Sequence, residues 1–187
     1  MAAQILTVEE LKTYRDLGGK VDIDKATEAI REAQQVELYD AFGYFSFDII
    51  KNKDEANYAD LMNGSEFTIS NDLFIHEGIK SLLADYAFAR YLAKLKMNLT
   101  PFGITIKTNE DSVPVDMKTV DSMILKTLQD ADVKKETIDR YLTEKNDSSL
   151  FDRYVQGGKR TKSAGSRRYS ILNGNRRRTD KRIGYYE

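Results

Sequence analysis

Apolar positions along the chain fall mostly at helical spacing, and the helices they predict follow one another with short polar breaks. Thr7-Val8-Glu9-Glu10 has the form of a capping box, in which the Thr hydroxyl accepts from the amide three residues on and the Glu reaches back. It predicts a short helix that stops at Gly18-Gly19. From Asp24 as cap, Ile23, Ala26, Ile30, Ala33 and Val36 recur every three or four residues, and Phe42, Phe45 and Ile49 extend the stripe. Gly43 weakens that stretch by about 1 kcal/mol relative to Ala, so a bend or a close helix contact is expected there. Residues 54–62 predict one more short helix, ended by Asn63-Gly64. Ser70 or Asn71 is expected to cap the strongest helix, residues 71–97. Ile75, Ile79, Leu82, Leu83, Tyr86 and Ala93 mark one of its faces, and Phe74, Phe88, Leu92 and Leu95 a second. A helix apolar over so much of its girth is buried between partners, and at 1.5 Å per residue it would run roughly 40 Å.

Residues 98–115 break the helical pattern and contain both prolines, Pro101 and Pro114; Ile104 to Lys107 alternates like a very short strand. Asp116 is the expected cap of a last long element carrying Met117, Val120, Ile124, Leu128 and Ala131, then Ile138, Tyr141 and Leu142. The apolar spacing lapses at Lys134-Lys135, which leaves open one helix or two with a kink. After Tyr154 the periodicity ends, and no internal repeat is present. The expected fold is all-α: a helical bundle of about four or five helices with a long ordered loop and an extended basic C-terminal arm. Residues 1–156 form the helical domain and residues 157–187 the arm, with Gly157-Gly158 as the hinge.

Charge sharpens that division. The last 31 residues carry ten Lys or Arg against two acids, a balance of +8, which leaves 19 basic and 28 acidic residues in 1–156, a balance of −9. A near-neutral chain thus hides two segments of opposite sign, the pattern of an interaction tail. The opening MAAQILTVEELK lacks the basic stretch and apolar run of a signal peptide, and no apolar run approaches the ~18 residues of a membrane span. The chain reads as one made in a cytoplasm.

The residue inventory excludes most catalysis. There is no cysteine, hence no disulfide framework and no thiolate metal site. His76 is the one histidine, too few for a nucleophilic triad or most zinc sites. His76-Glu77 could form a lone acid/base pair; the ordinary reading is a residue that caps or packs a helix. Glu9-Glu10 and Asp130 with Asp132 are paired carboxylates whose usual explanation is a solvated helix face. Neither phosphate-binding glycine motif is present, since Gly157-Gly158-Lys159 lacks the preceding strand and following helix. An enzyme is not expected, nor a cofactor, a metal or a small-molecule substrate.

The arm has its own chemistry. Arg167-Arg168-Tyr169, Arg176-Arg177-Arg178, Arg182 and Tyr185-Tyr186 interleave Arg with aromatics. Arg attracts nucleic acid and Tyr stacks on bases. The same groups bind acidic protein surfaces, because Arg forks pair with carboxylates and Tyr supplies rigid contact area. A solubilising tail is the bland third reading. Docking on protein is favoured, because Ile171, Leu172 and Ile183 join the tyrosines as apolar anchors that a purely electrostatic tail does not need. Such a segment is expected to order on binding.

The stretch DYAFARYLAKLKMNLTPFGITIKTNEDSVPVD, followed by a helix ending DRYLTEKNDSSLFDRY, resembles the head–tail connector (adaptor, or neck ring) proteins of tailed phages, crAss-like phages of Bacteroides in particular. ILTVEELKTY also looks like the start of such adaptors. The resemblance spans residues 4–154, and its most specific parts are Thr100-Pro101-Phe102-Gly103 and Ser112-Val113-Pro114-Val115. It implies a structural virion protein: a ring, usually of about twelve copies, beneath the portal, extending the DNA channel and meeting portal, neck and tail proteins. DNA would pass through without sequence-specific contact, and no membrane is involved. The loop holding Pro101, Phe102, Gly103 and Pro114 is then expected at an intersubunit or portal-facing contact. The basic arm lies outside the resembling pattern; a nucleic-acid-binding protein using that arm is the alternative.

Overall fold

The computed structural model describes residues 4–17, 21–100, 103–106, 117–146, 151 and 154, with the backbone alone described for 96–100, 103–106, 117 and 146. All lie in Met1–Gln156, the first of the two units into which the chain divides. The chain is mostly helical, with two small antiparallel hairpins. Helix α1 (Val8–Tyr14) starts with the expected capping box: Thr7 Oγ1 accepts from the Glu10 amide, and Glu10 accepts from the Thr7 amide. Helix α2 (Ile23–Glu32) is capped by Asp22, whose carboxylate accepts from the Lys25 amide, and not by Asp24. Ala26, Ala29, Ile30 and Ala33 form its buried stripe, while Ile23 and Val36 face solvent.

One π-helical turn (Ala33–Glu37) leads into α3 (Leu38–Phe42). Inside it the buried Gln34 side chain accepts from the Ile5 amide, tying the N-terminal segment to the bundle. Gly43, with φ of +59°, then ends α3 outright, and α4 (Phe45–Asn52) starts in a new direction. Phe42, Phe45 and Ile49 still share the core, so the stripe is continuous although the helix is not. A 3₁₀ turn (Ala56–Tyr58) and α5 (Ala59–Asn63) supply the short helix expected before Asn63-Gly64.

The largest correction concerns residues 65–77. Ser70 and Asn71 do not cap a helix. They are the two turn residues of a hairpin, with φ of +51° and +74°, between strands β1 (Ser65–Ile69) and β2 (Asp72–His76). Ile69 pairs with Asp72 and Ser65 with His76. Positive φ at both central positions is the hairpin turn whose twist matches the strands. Phe74, Ile75 and His76 thus sit on a strand: Phe67 and His76 point inward, whereas Leu73 and Ile75 point to solvent. The central helix α6 starts only at Gly78 and ends at Lys96, about 28 Å long at 1.5 Å per residue. It is central as expected: residues 81–87 are buried without interruption, and α2, α5 and the long helix α7 pack around it. Its second face, with Phe88 and Leu92, is only half-buried.

β3 (Met97–Thr100) and β4 (Gly103–Ile106) form a second hairpin at the end of α6, so the segment after the central helix opens as paired strands and not as a plain loop. Helix α7 (Met117–Asn146) is one continuous helix through Lys134-Lys135. Ala131, Ile138, Tyr141 and Leu142 join it to the core built on Ile79, Leu82, Leu83, Tyr86 and Ala87. No helix among the described residues is long and apolar enough to cross a membrane.

Where α5 meets β1 and β2 meets α6, two backbones touch. Gly64 has φ of +94° and Gly78 φ of +81°, and a Cβ on Gly78 would lie 2.4 Å from the Gly64 nitrogen and 2.6 Å from the Met62 oxygen. Only glycine fits both the conformation and the approach. Gly78→Ala is expected to lower stability by more than about 2 kcal/mol, against about 1 kcal/mol for Thr7→Ala at the α1 cap, as read from urea unfolding followed by circular dichroism.

Candidate functional site

The candidate acid/base pair separates into two packed residues. His76 closes β2, is 1% exposed, and lies with its ring 4.1 Å from the Tyr141 ring and 5.9 Å from Phe67. Its Nε2 is 3.0 Å from Ser65 Oγ, the cross-strand neighbour that the hairpin register places there. Burial pushes its pKa down to about 4, against the opposing pull of the Asp60 charge, so the ring is neutral at physiological pH. Glu77 turns the other way. Burial pushes its carboxyl up, but hydrogen bonds from Lys134 and Ser81 outweigh this and hold it below the usual carboxylate value. Both residues pack and pair, in line with the ordinary reading.

Glu77 belongs to a network centred on Asp85, which α6 holds completely buried. Arg15, just past α1, donates to Asp85 Oδ1 at 2.7 Å, and Lys134 of α7 sits 3.0 Å from Oδ2. Lys134 also reaches Glu77 and Ser81, each at 2.7 Å. Burial raises the Asp85 pKa, while Lys134 and Arg15 pull it back toward ionisation. A second network joins Arg90 and Lys94 of α6 to Glu32 at the end of α2 and Glu37 in the π turn, with Arg90 forking onto Glu37 at 2.7 and 2.8 Å. Glu10 is occupied by its cap and by Lys80, and Glu9 by Lys12. Asp130 and Asp132 lie on the exposed side of α7. No group of acids and histidine able to hold a metal ion occurs among the described residues. These charges join helices to one another.

The surface feature that the networks leave over is aromatic. Gly43 turns the chain so that Tyr39, near the start of α3, meets Tyr44 and Phe47 at the start of α4. The three rings touch pairwise, with centroids 5.9 to 6.4 Å apart, the Tyr39–Tyr44 pair edge-on. Yet Tyr39 is 42%, Phe47 58% and Tyr44 80% exposed. Aromatic rings carry large apolar area, and here much of it is open to water. On the opposite side of α4, Phe45 stacks edge-on against Phe151 and Tyr154.

The sequence did not single out this triad. The available signal was phase: Tyr39, Tyr44 and Phe47 fall between the core positions Leu38, Phe42, Phe45 and Ile49, where a surface helix carries polar residues. Of the positions that were singled out, Arg167, Arg168, Tyr169, Arg176, Arg177, Arg178, Arg182, Tyr185 and Tyr186 lie outside the described residues, as do Pro101, Phe102 and Pro114. Gly103 opens β4 opposite Thr100.

The described body turns these charges to its own packing and leaves an aromatic patch on its surface. By sequence the chain belongs to a family of unknown function, DUF6712, which it matches over residues 38–164. The match begins at the first residue of α3 and takes in the aromatic triad, both hairpins, α6 and α7. No curated protein and no solved structure matches the chain.

Two measurements follow from this geometry. The folded His76 takes up its proton only near pH 4, whereas an unfolded histidine does so near 6.5, so the unfolded state binds more protons between those values and stability falls as pH drops through that window. The urea midpoint is expected to decline from pH 6.5 downward in the native chain and to lose the part of that slope above pH 5 in His76→Gln. Asp85→Asn leaves Arg15 and Lys134 facing an uncharged amide, and urea unfolding is expected to register a loss of about 3 kcal/mol.

Proposed function

We propose that this chain is a structural virion protein, a head–tail connector subunit that forms a ring at the neck of a tailed phage, between portal and tail. The observation that carries the assembly part is the exposed triad Tyr39–Tyr44–Phe47. The phage neck comes from the resemblance of the α6–Thr100-Pro101-Phe102-Gly103–α7 segment to connector proteins. Two further features support the reading. The one histidine is buried and neutral, and the buried Asp85 is paired with Arg15 and Lys134, so these groups serve packing. The hairpin of β3 and β4 follows directly on the central helix, within the segment that carries the connector resemblance.

Charge assigns the remaining roles. Residues 1–156 carry a balance of −9, so the body repels phosphate and lets DNA slide through a channel without gripping it. The arm, at +8, docks on the portal or on adjacent ring proteins. A nucleic-acid-binding protein using the arm is the second reading, favoured by Arg176-Arg177-Arg178 beside the tyrosines.

Electron microscopy of the full chain, purified alone and together with the portal protein of the same genome, tests this. Closed rings that stack on the portal are expected. The full chain carrying Arg176→Glu, Arg177→Glu and Arg178→Glu should keep its helical circular dichroism and fail to accumulate as portal-bound rings. A chain that stays monomeric with the portal, and binds duplex DNA with a steep dependence on salt, overturns the connector reading in favour of the second.

A further inference from the structure

We infer that neighbouring copies of this chain hold each other through two different faces of the body: the aromatic triad of one copy seats on the outer face of the β1–β2 hairpin of the next. This rests on the ring reading above and names the contact by which one subunit meets its neighbour.

The hairpin has a covered and an uncovered face. Its inner face lies on α7, with Phe67 meeting Tyr141 edge-on and His76 against the same ring. The outer face is made of two cross-strand pairs, Glu66 opposite Ile75 and Thr68 opposite Leu73. All four residues are exposed, and Leu73 and Ile75 leave 64% and 63% of their surface in water. An antiparallel hairpin with one face on the core ordinarily carries polar residues on the other. Branched aliphatic chains pack well against aromatic rings, and the triad is the exposed cluster of rings on this body.

The two faces look away from each other. Phe45, on the side of α4 opposite the triad, meets Phe151; Phe151 meets Tyr141; and Tyr141 meets Phe67 beneath the hairpin, with ring centroids 5.9, 6.3 and 5.5 Å apart. A row of buried rings thus separates the triad from Leu73 and Ile75, so one copy cannot bring its own two patches together. Two unlike patches on opposite flanks make a head-to-tail contact, and a ring closed by it leaves neither uncovered. Charge sets the orientation. The acids beside the triad are engaged within the subunit, Glu37 with Arg90, and Asp40 and Asp48 with partners of their own. Lys51, one turn beyond Phe47 on α4, is exposed and has no ion pair among the described residues. Glu66, beside Ile75, is likewise exposed and without an ion pair among them. Seating Phe47 on Ile75 brings the Lys51 ammonium of one copy toward the Glu66 carboxylate of the next.

The chain has no cysteine, so introduced thiols report this contact alone. One full-length copy carries Tyr44→Cys and a second, differently tagged copy carries Leu73→Cys, both at exposed positions. Mixed and mildly oxidised, they are expected to form the mixed disulfide at least about tenfold more than either disulfide between like copies, and about tenfold more than when Asp24→Cys on α2 replaces Leu73→Cys, a preference equivalent to about 1.4 kcal/mol. Lys51→Glu in the Tyr44→Cys copy is expected to cut the yield about threefold, and Glu66→Lys added to the Leu73→Cys copy to restore it. An excess of like-copy disulfides, equal coupling to the control position, or a loss that Glu66→Lys does not restore overturns the contact. Ring formation is scored separately by electron microscopy of the native chain. Rings without the selective mixed disulfide leave the connector reading standing and remove this contact; a selective mixed disulfide in assemblies that never close into rings keeps the contact and removes the ring.

Discussion

Asp85 is a fully buried carboxylate on the central helix, held between Arg15 beyond α1 and Lys134 on α7. Taking a charge out of water costs several kcal/mol unless partners replace its hydration, and here two cations from distant parts of the chain must both arrive. That requirement fixes how far along α6 the α1 segment docks and in which register α7 lies against it. It also explains the gap in the apolar stripe of α7. Position 134 faces inward but carries Lys, because its ammonium reaches Asp85, Glu77 and Ser81 together. A Leu there would restore the periodicity and strand the carboxylate.

The β1–β2 hairpin depends on the same anchoring. Glu77, held by Lys134, sits between the last residue of β2 and the first of α6, and Gly78 passes against Gly64 at the hairpin base. With both ends of the hairpin clamped, its inner face is pressed onto α7. Phe67 stacks with Phe74 and meets Tyr141 edge-on, and His76 lies against the same tyrosine. His76 loses its charge by being placed there. Its neutrality is a consequence of packing.

Inward-facing ions and outward-facing rings divide the molecule's work. The Asp85 and Arg90 networks consume most of the charge near α6 in holding helices together. Tyr39, Tyr44 and Phe47 do the opposite: they touch one another but leave much of their area in water. Clustered exposed aromatics of this kind mark contact surfaces.

The sequence determined the local elements whose causes lie within a few residues. The capping box of α1, the core stripe Ala26–Ile30–Ala33–Phe42–Phe45–Ile49, the short helix ended by Gly64, the long α7 and the opposite charges of residues 1–156 and 157–187 were all legible there, since each depends on neighbours in the chain. The hairpin was not. Ile75 and Ile79 keep helical spacing, and the signal that should have prevailed was Ser70-Asn71 between two apolar runs, a two-residue turn. Tertiary structure alone decided that Gly43 would break a helix, that Lys134 would be an interior residue, and that Tyr39, Tyr44 and Phe47 would meet on the surface. Each of these outcomes is set by what lies across the fold, where a buried charge must find its partners and a ring its neighbours, and such distances are invisible to periodicity along the chain.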